Sequence, residues 1–434
     1  MFQRGPARLF KRMSKRTSRI PEGSNTTSQP SHQRESQQQP ILEAQHQVET
    51  HPTWLPKLPP SQPLPEEETE DYDDALKGAM RELRNDFTSG ARQLAESALD
   101  RLAYVTDIAA CMATSWGEFW ALMVYAAKQF SRARPSMSAA ITACLLRALE
   151  RIARTWNEEH AKGIQSTVEL ARIAGGVFNA IVRERKELSG QLGTTFTSWL
   201  KRYYNEVLQH PLRFDQVGRA ELPQTPVRIL TLSNSSTIRA AILHAISSLP
   251  SVAIHLTVLE SRPRCEGADM AAQIYASAHH KHRLSINIIP DCAVGTASRD
   301  IDFVLLGADC ISSTGDVSNK IGSLAATLCA KSYNKNVAVV ALSDVEKIAA
   351  PGQDSKHIER HPPSELTSAW APATRNQLEG KAHVDVFGEW FEWVPANLID
   401  VYITEKGILN KEDVDELAKE IAELDKYIFQ QKKD

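Results

Sequence analysis

Apolar side chains recur every three or four positions from Ala75 to about residue 205. In Gly90–Val105, the residues Ala91, Leu94, Ala95, Ala98, Leu99 and Leu102 share one helical face. Similar stripes run through Phe119–Phe130, Ser138–Ile152 and across Ile164–Val182. No strand-like alternation competes, so residues 75–205 read as an antiparallel helical domain. Arg134-Pro135-Ser136 marks a turn within it, with Pro135 at a helix start where its missing N–H costs little. After Pro211 the pattern changes to short β-branched runs: Val227–Leu232, Val252–Leu259, Leu284–Ile289, Ile301–Leu306 and Val337–Leu342. Helical segments Thr237–Leu249, Ala268–His280 and Gly322–Tyr333 lie between most of them. Strands alternating with helices predict an α/β domain with a parallel sheet over 206–412, and residues 413–434 read as a C-terminal helix.

The first 74 residues read differently. Pro21–Pro65 is rich in Gln, Ser, Pro and His without apolar clustering, a composition that predicts disorder. The acidic run Glu66–Asp74 reads as a solvated linker whose charge precedes the next helix. Met1–Ile20 is basic and acid-free, which fits either a disordered start or a mitochondrial transit peptide; the expected location is otherwise cytoplasmic.

Composition excludes several classes of function. Across 434 residues the net charge is −3, with 42% hydrophobic and 24% charged residues, so no overall pull toward nucleic acid or an anionic membrane is expected. The longest apolar runs fall far short of the roughly 20 residues of a membrane span. Six cysteines lack any C-x-x-C spacing, which argues against a zinc site and a disulfide framework. Neither a metal nor a cofactor is expected.

Ligands on parallel sheets bind beyond the carboxyl ends of the strands, and the chemistry-bearing residues cluster there. The run Val227–Leu232 leads into Ser233-Asn234-Ser235-Ser236-Thr237 before a helix. This is more hydroxyl and backbone N–H than one N-cap needs, and it suits a phosphate. After Val252–Leu259 comes Glu260-Ser261-Arg262-Pro263-Arg264, where two arginines around a proline suit a phosphate or carboxylate fork, or form a surface turn with Arg262 paired to Glu260. Ile301–Leu306 opens onto Gly307–Ser323, with Asp309 beyond an apolar strand, where desolvation suits a general acid or base, and Asn319-Lys320 ahead of a helix.

Residues 307–341, GADCISSTGDVSNKIGSLAATLCAKSYNKNVAVVA, resemble the signature of the initiation factor 2B α/β/δ family. That family also contains methylthioribose-1-phosphate and ribose-1,5-bisphosphate isomerases. Supporting matches are RPSMSAA from Arg134, ILTLSNSS, ESRPRCEGADMA, DCAVGTA and VPANLIDVYITEKGIL, in order over roughly residues 85–412. The resemblance implies a helical N-terminal domain, then a Rossmann-like domain of sugar-phosphate isomerase type that mediates pairing. The expected partners are a second copy or related subunits, and a phosphorylated small molecule. By position Asp309 matches the isomerases' catalytic Asp, Asn319 and Lys320 their substrate-holding pair, and Arg134 a phosphate-binding Arg. Two matches depart from the pattern: Ser233 stands where the isomerases have Cys, and Glu266 where they have a substrate-contacting Gln. The weak acidity of a serine hydroxyl, together with the lack of an RGAPAIG-like segment, predicts a non-catalytic regulatory subunit and counts most against the methylthioribose enzyme. The alternative is an aldose–ketose isomerase for a ribose-1-phosphate-type substrate, with Asp309 shuttling a proton and Ser233 orienting substrate.

Overall fold

The computed structural model describes residues 54–59, 62, 70–163, 166–208, 226–353 and 358–430. The basic start, and nearly all of the stretch expected to be disordered, lie outside these. The chain divides into Met1–Leu55, of which only Trp54 and Leu55 are described, and Pro56–Asp434, which holds every element below.

Five helices open the described chain: α1 (Glu70–Asn85), α2 (Ala91–Met112), α3 (Trp116–Phe130), α4 (Ser138–His160) and α5 (Thr167–Tyr203). The acidic run does not end in a linker, as expected from its charge. Glu70, Asp71 and Asp73 form the first turn of α1, where carboxylates meet the positive end of the helix while Tyr72 and Leu76 bury. Helix α2 is the hub of this layer: its stripe Leu94, Ala98, Leu99 and Leu102 is fully buried, and it packs on the other four helices. The 37 residues of α5 span about 55 Å at 1.5 Å each, long enough to reach both layers. Its last turns (Phe196, Trp199, Leu200, Tyr203) join the core of the sheet domain, where Trp199 and Tyr203 meet the Phe303 ring edge-on.

The second layer begins with β1 (Val227–Leu232), α6 (Ser236–Ser248), β2 (Ile254–Leu259), α7 (Glu266–Ser277), β3 (Leu284–Ile289), α8 (Val294–Ala297) and β4 (Phe303–Leu306). It continues with β5 (Cys310–Ile311), β6 (Val317–Lys320), α9 (Ser323–Tyr333), β7 (Ala338–Leu342), α10 (Pro363–Thr367), α11 (Pro372–Leu378), β8 (Phe391–Val394), β9 (Val401–Thr404), β10 (Gly407–Leu409) and α12 (Lys411–Leu424). The main sheet runs β10-β9-β7-β4-β1-β2-β3, parallel except for the β9–β10 hairpin. Its central strands are buried on both faces, as parallel strands sandwiched between helices must be. The chain steps outward from β1 through β2 to β3, then returns to the other side of β1 with β4. The loops after β1 and β4 therefore diverge at a switch point, where a crevice forms. The hairpin β5–β6 and strand β8 make a separate antiparallel sheet. It places Asn319 and Lys320 on a strand, ahead of α9 as expected.

The turn after β7 ties the two layers together. Asp344 pairs with Arg92 of α2, Glu346 with Arg185 of α5, and the Val345 N–H donates to the Glu405 carboxylate. Burial first, then the nearby Asp344, raises the Glu405 pKa from 4.5 to about 7. Between those values the folded protein holds a proton that the unfolded chain has released, so this site loses stability as pH rises through that window. Glu405→Gln is accordingly expected to raise the urea midpoint at pH 8 and leave it nearly unchanged at pH 4. Equal shifts at both would reject burial as the cause.

Candidate active site

A cavity of about 570 Å³ opens at the switch point between β1 and β4 and is walled by the start of α2. Its lining includes Ser233, Asn234, Ser235 and Ser236 after β1, Asp309 after β4, Asn319 and Lys320 on β6, Glu266 at the start of α7, and Arg134 before α4. Every site residue expected from the sequence thus converges on one hollow, with one exception. Arg262 is exposed and outside the lining. Its backbone N–H, with that of Ser261, donates to the Asp291 carboxylate, a tight turn that leaves Arg264, two residues on, to face the cavity.

Asp309 remains partly open to the cavity while protein encloses it elsewhere. Desolvation raises its pKa above the ordinary carboxylate value, and the positive charges of Lys347, Lys320 and Arg134 work against that rise. A carboxyl held toward its protonated form can give a proton and take it back. Gly307 keeps the neighbouring loops close: a Cβ there would lie 3.3 Å from the Ser235 hydroxyl and 3.4 Å from Asn319 Oδ1.

The Ser233 loop does two jobs. Ser235 caps α6, its Oγ accepting from the Ile238 N–H at 3.2 Å, as simple capping predicts. The same N-terminus still faces the cavity with the unmatched N–H groups that every helix start carries. Ser233 itself has φ 68, left-handed for a residue other than glycine.

Six basic side chains (Arg92, Arg134, Arg239, Arg264, Lys320 and Lys347) line the walls with Glu266, Asp269 and Asp309, and four of the six are paired with carboxylates: Arg92 with Asp344, Arg134 with Glu359, Arg264 with Glu365 and Lys320 with Glu266. Arg134 is 4% exposed, donates to Glu359 at 2.8 Å and lies over the Phe87 ring at 5.0 Å. Lys320 is equally buried, pairs with Glu266 at 2.7 Å and stands 4.3 Å from the Trp390 ring centroid. Arg264 stacks at the same distance from Trp390 and forks the Glu365 carboxylate. Glu365 also accepts from His361 Nδ1, and burial keeps the His361 pKa low. Lys347 donates to the Ala308 carbonyl at 2.7 Å beside Asp309.

Lys347 and Trp390 belong to the site but carry no local sequence signal, whereas Arg264 is one of the two arginines around Pro263 expected to fork an anion or carboxylate. Lys347 follows β7, and the rule that ligands bind beyond strand ends pointed to its neighbourhood; nothing in the run Asp344–Lys347 distinguished it from a surface turn. Cys292, after β3, and Cys310, after β4, both lie outside the lining, so neither brings a thiol to the cavity.

The Glu266–Lys320 pair resolves the expected conflict between Glu266 and an anion, because the carboxylate is already spent on the lysine. Glu266→Gln should release that ammonium and tighten inorganic phosphate binding by roughly threefold to tenfold, a gain of about 1 kcal/mol. Calorimetric titration reads it directly, and unchanged affinity would show that Lys320 does not meet the anion.

Comparison with known proteins places this geometry in context. Methylthioribose-1-phosphate isomerase of Alkalilimnicola ehrlichii is 33% identical over 156 residues, 35% of this chain and 41% of that protein. The Schizosaccharomyces pombe enzyme of the same name is 30% identical over 172 residues, 36% of this chain and 46% of its own length. The chain thus spans less than half of these curated relatives. Among solved structures, translation initiation factor eIF-2B of Pyrococcus horikoshii OT3 superimposes with TM-score 0.53 at 17% identity, over 78% of this chain and 98% of that one. The tetrameric eIF2B-beta2-delta2 complex from C. thermophilum gives TM-score 0.56 at 14% identity, over 81% and 95%. These structural matches establish a shared α/β fold. The sequence relatives correct one expectation. Ser233 and the lack of an RGAPAIG-like segment predict a non-catalytic regulatory subunit, yet the relatives matched at 30–33% identity are named as enzymes. The residue at position 233 leaves the desolvation of Asp309, beyond another strand, unchanged. A family model matches residues 88–411, so the chain belongs to the initiation factor 2 subunit family.

Proposed function

We propose that this protein is an aldose–ketose isomerase acting on a ribose-1-phosphate-type sugar. The observation that carries the reading is the meeting of Asp309, Lys320, Lys347, Arg134 and the Ser233 loop around one cavity of about 570 Å³. In such a conversion the bond from C1 to the ring oxygen breaks and that oxygen takes a proton. The C2 hydrogen passes to C1, and the C2 hydroxyl gives up its proton as the ketone forms. One group that first donates and then accepts a proton serves both ends of this sequence, and desolvation biases Asp309 toward the protonated form that can start it. Lys347, Lys320 and Arg134 supply the charge to hold phosphate, and Ser233 orients the sugar. The polar, charged lining suits a second phosphate better than an apolar thioether, so ribose-1,5-bisphosphate is the favoured substrate over methylthioribose-1-phosphate. Assembly with a second copy or a related subunit, and a cytoplasmic location, go with this reading; no described helix is long and apolar enough to cross a membrane.

The test is an incubation of the purified protein with each of the two sugars while ketose phosphate is followed. Formation of ketose from either supports isomerase chemistry, and the ratio of kcat/KM between them decides the second phosphate. No ketose from either, with phosphate binding intact, would sink the catalytic reading.

A further inference from the structure

The three adjacent strand ends β1, β2 and β3 are linked by a run of hydrogen bonds that ends on Ser233. Asp291, just beyond β3, accepts the Ser261 N–H at 2.8 Å on one carboxylate oxygen and the Arg262 N–H at 2.7 Å on the other. Ser261, just beyond β2 and 2% exposed, accepts the Ser233 N–H on its hydroxyl at 2.8 Å, and that hydroxyl donates to the Leu259 carbonyl at 3.2 Å. Ser233, just beyond β1, and Ser261 both hold left-handed backbones, with φ 68 and 62. Conformations that L-residues avoid persist only where their surroundings over-determine them. The clamp is closed from the other side by α7: a Cβ on Gly267 would come within 1.9 Å of the Leu259 carbonyl oxygen and 3.1 Å of Ser261 Oγ. Helix α7 and its Glu266 are thereby pressed against the same turn.

The geometry points to Asp291 and Ser261 as positioning residues that hold the Ser233 loop in its working conformation without touching the ligand. Neither lines the cavity, so each acts on it through the clamped turn, Ser261 directly on the Ser233 N–H and Asp291 through Ser261. The inference rests on the isomerase reading for the meaning of Ser233, but not for the existence of the clamp.

The experiment is a double-mutant cycle on the full chain with Ser261→Ala, Ser233→Ala and their combination, alongside Asp291→Asn. Ser285→Ala, on the exposed side of β3 against His255, serves as a control expected to keep wild-type rates. Ser261→Ala is expected to lower kcat roughly 10-fold to 100-fold, the cost of a misplaced reacting group, with KM within about threefold. That loss should vanish in the Ser233→Ala background. Additive losses would mean that Ser261 acts through general stability, and would overturn the proposal. Should the wild type turn over neither sugar, hydrogen exchange decides. Faster exchange at Ser233–Ser236 in Asp291→Asn, with Val227–Leu232 unchanged, supports the clamp, and unaltered exchange there refutes it.

Discussion

Asp309→Asn is expected to lower kcat about 10²-fold to 10⁴-fold, the usual worth of a positioned proton-transfer group. Its affinity for inorganic phosphate and its unfolding midpoint should change little. Asparagine keeps the shape and one carbonyl oxygen while losing the titrating proton, so this loss isolates chemistry from packing. The sign of the pH response follows from the environment. Desolvation raises the Asp309 pKa, so the protonated form survives to higher pH than an ordinary carboxylic acid allows, and activity that needs that form falls as pH rises through the raised value. Lys347, Lys320 and Arg134 oppose the rise. Lys347→Met removes the largest of these charges and should therefore move the basic limb of the kcat profile further up, besides weakening phosphate binding. A downward move would show that Asp309 is not the titrating group, as would a full-rate Asp309→Asn enzyme.

Arg134→Met should produce the largest loss of stability, about 3–5 kcal/mol, because it strands a partly buried carboxylate. Arg134 bonds the carbonyl of Asp86 at the end of the first helical hairpin and pairs with Glu359, which also accepts the Ser136 hydroxyl. The arginine thus fastens the helical layer to the segment that carries His361, Glu365 and Trp390. Removing it leaves Glu359 charged with only a hydroxyl for company. The expected readout is a lower urea midpoint at constant slope, with phosphate affinity also reduced. Adding Glu359→Gln should recover part of the stability and none of the affinity. Recovery of both would mean that Arg134 serves only the fold.

Much of this site was legible in the chain before any contact was known. Strand ends are marked by a switch from β-branched runs to polar residues, and in a parallel sheet those ends share one side. Ser233, Asp309, Asn319 and Lys320 could therefore be nominated from position alone. Arg262 shows where that logic fails: in a turn, alternate residues face opposite ways, and which arginine turns inward depends on Asp291, 29 residues further on. Trp390 and Lys347 were illegible for a related reason, since each is an ordinary residue until the fold sets it beside Lys320 or Ala308. The overestimated weight of Ser233 is a third case, since one missing thiol says nothing about the desolvation of a carboxylate on another strand.

By itself, the sequence determined the helical first layer, the five successive parallel strands β1, β2, β3, β4 and β7 with the helices between most of them, and the loops on which polar chemistry gathers. These depend on periodicity and turn composition, which are local. Only the tertiary structure decided that Glu266 neutralises Lys320, that the Arg264 and Lys320 cations share the Trp390 ring, and that burial tunes Asp309. Charge, distance and desolvation at a point in space are set by residues far apart along the chain, and no local pattern encodes their sum.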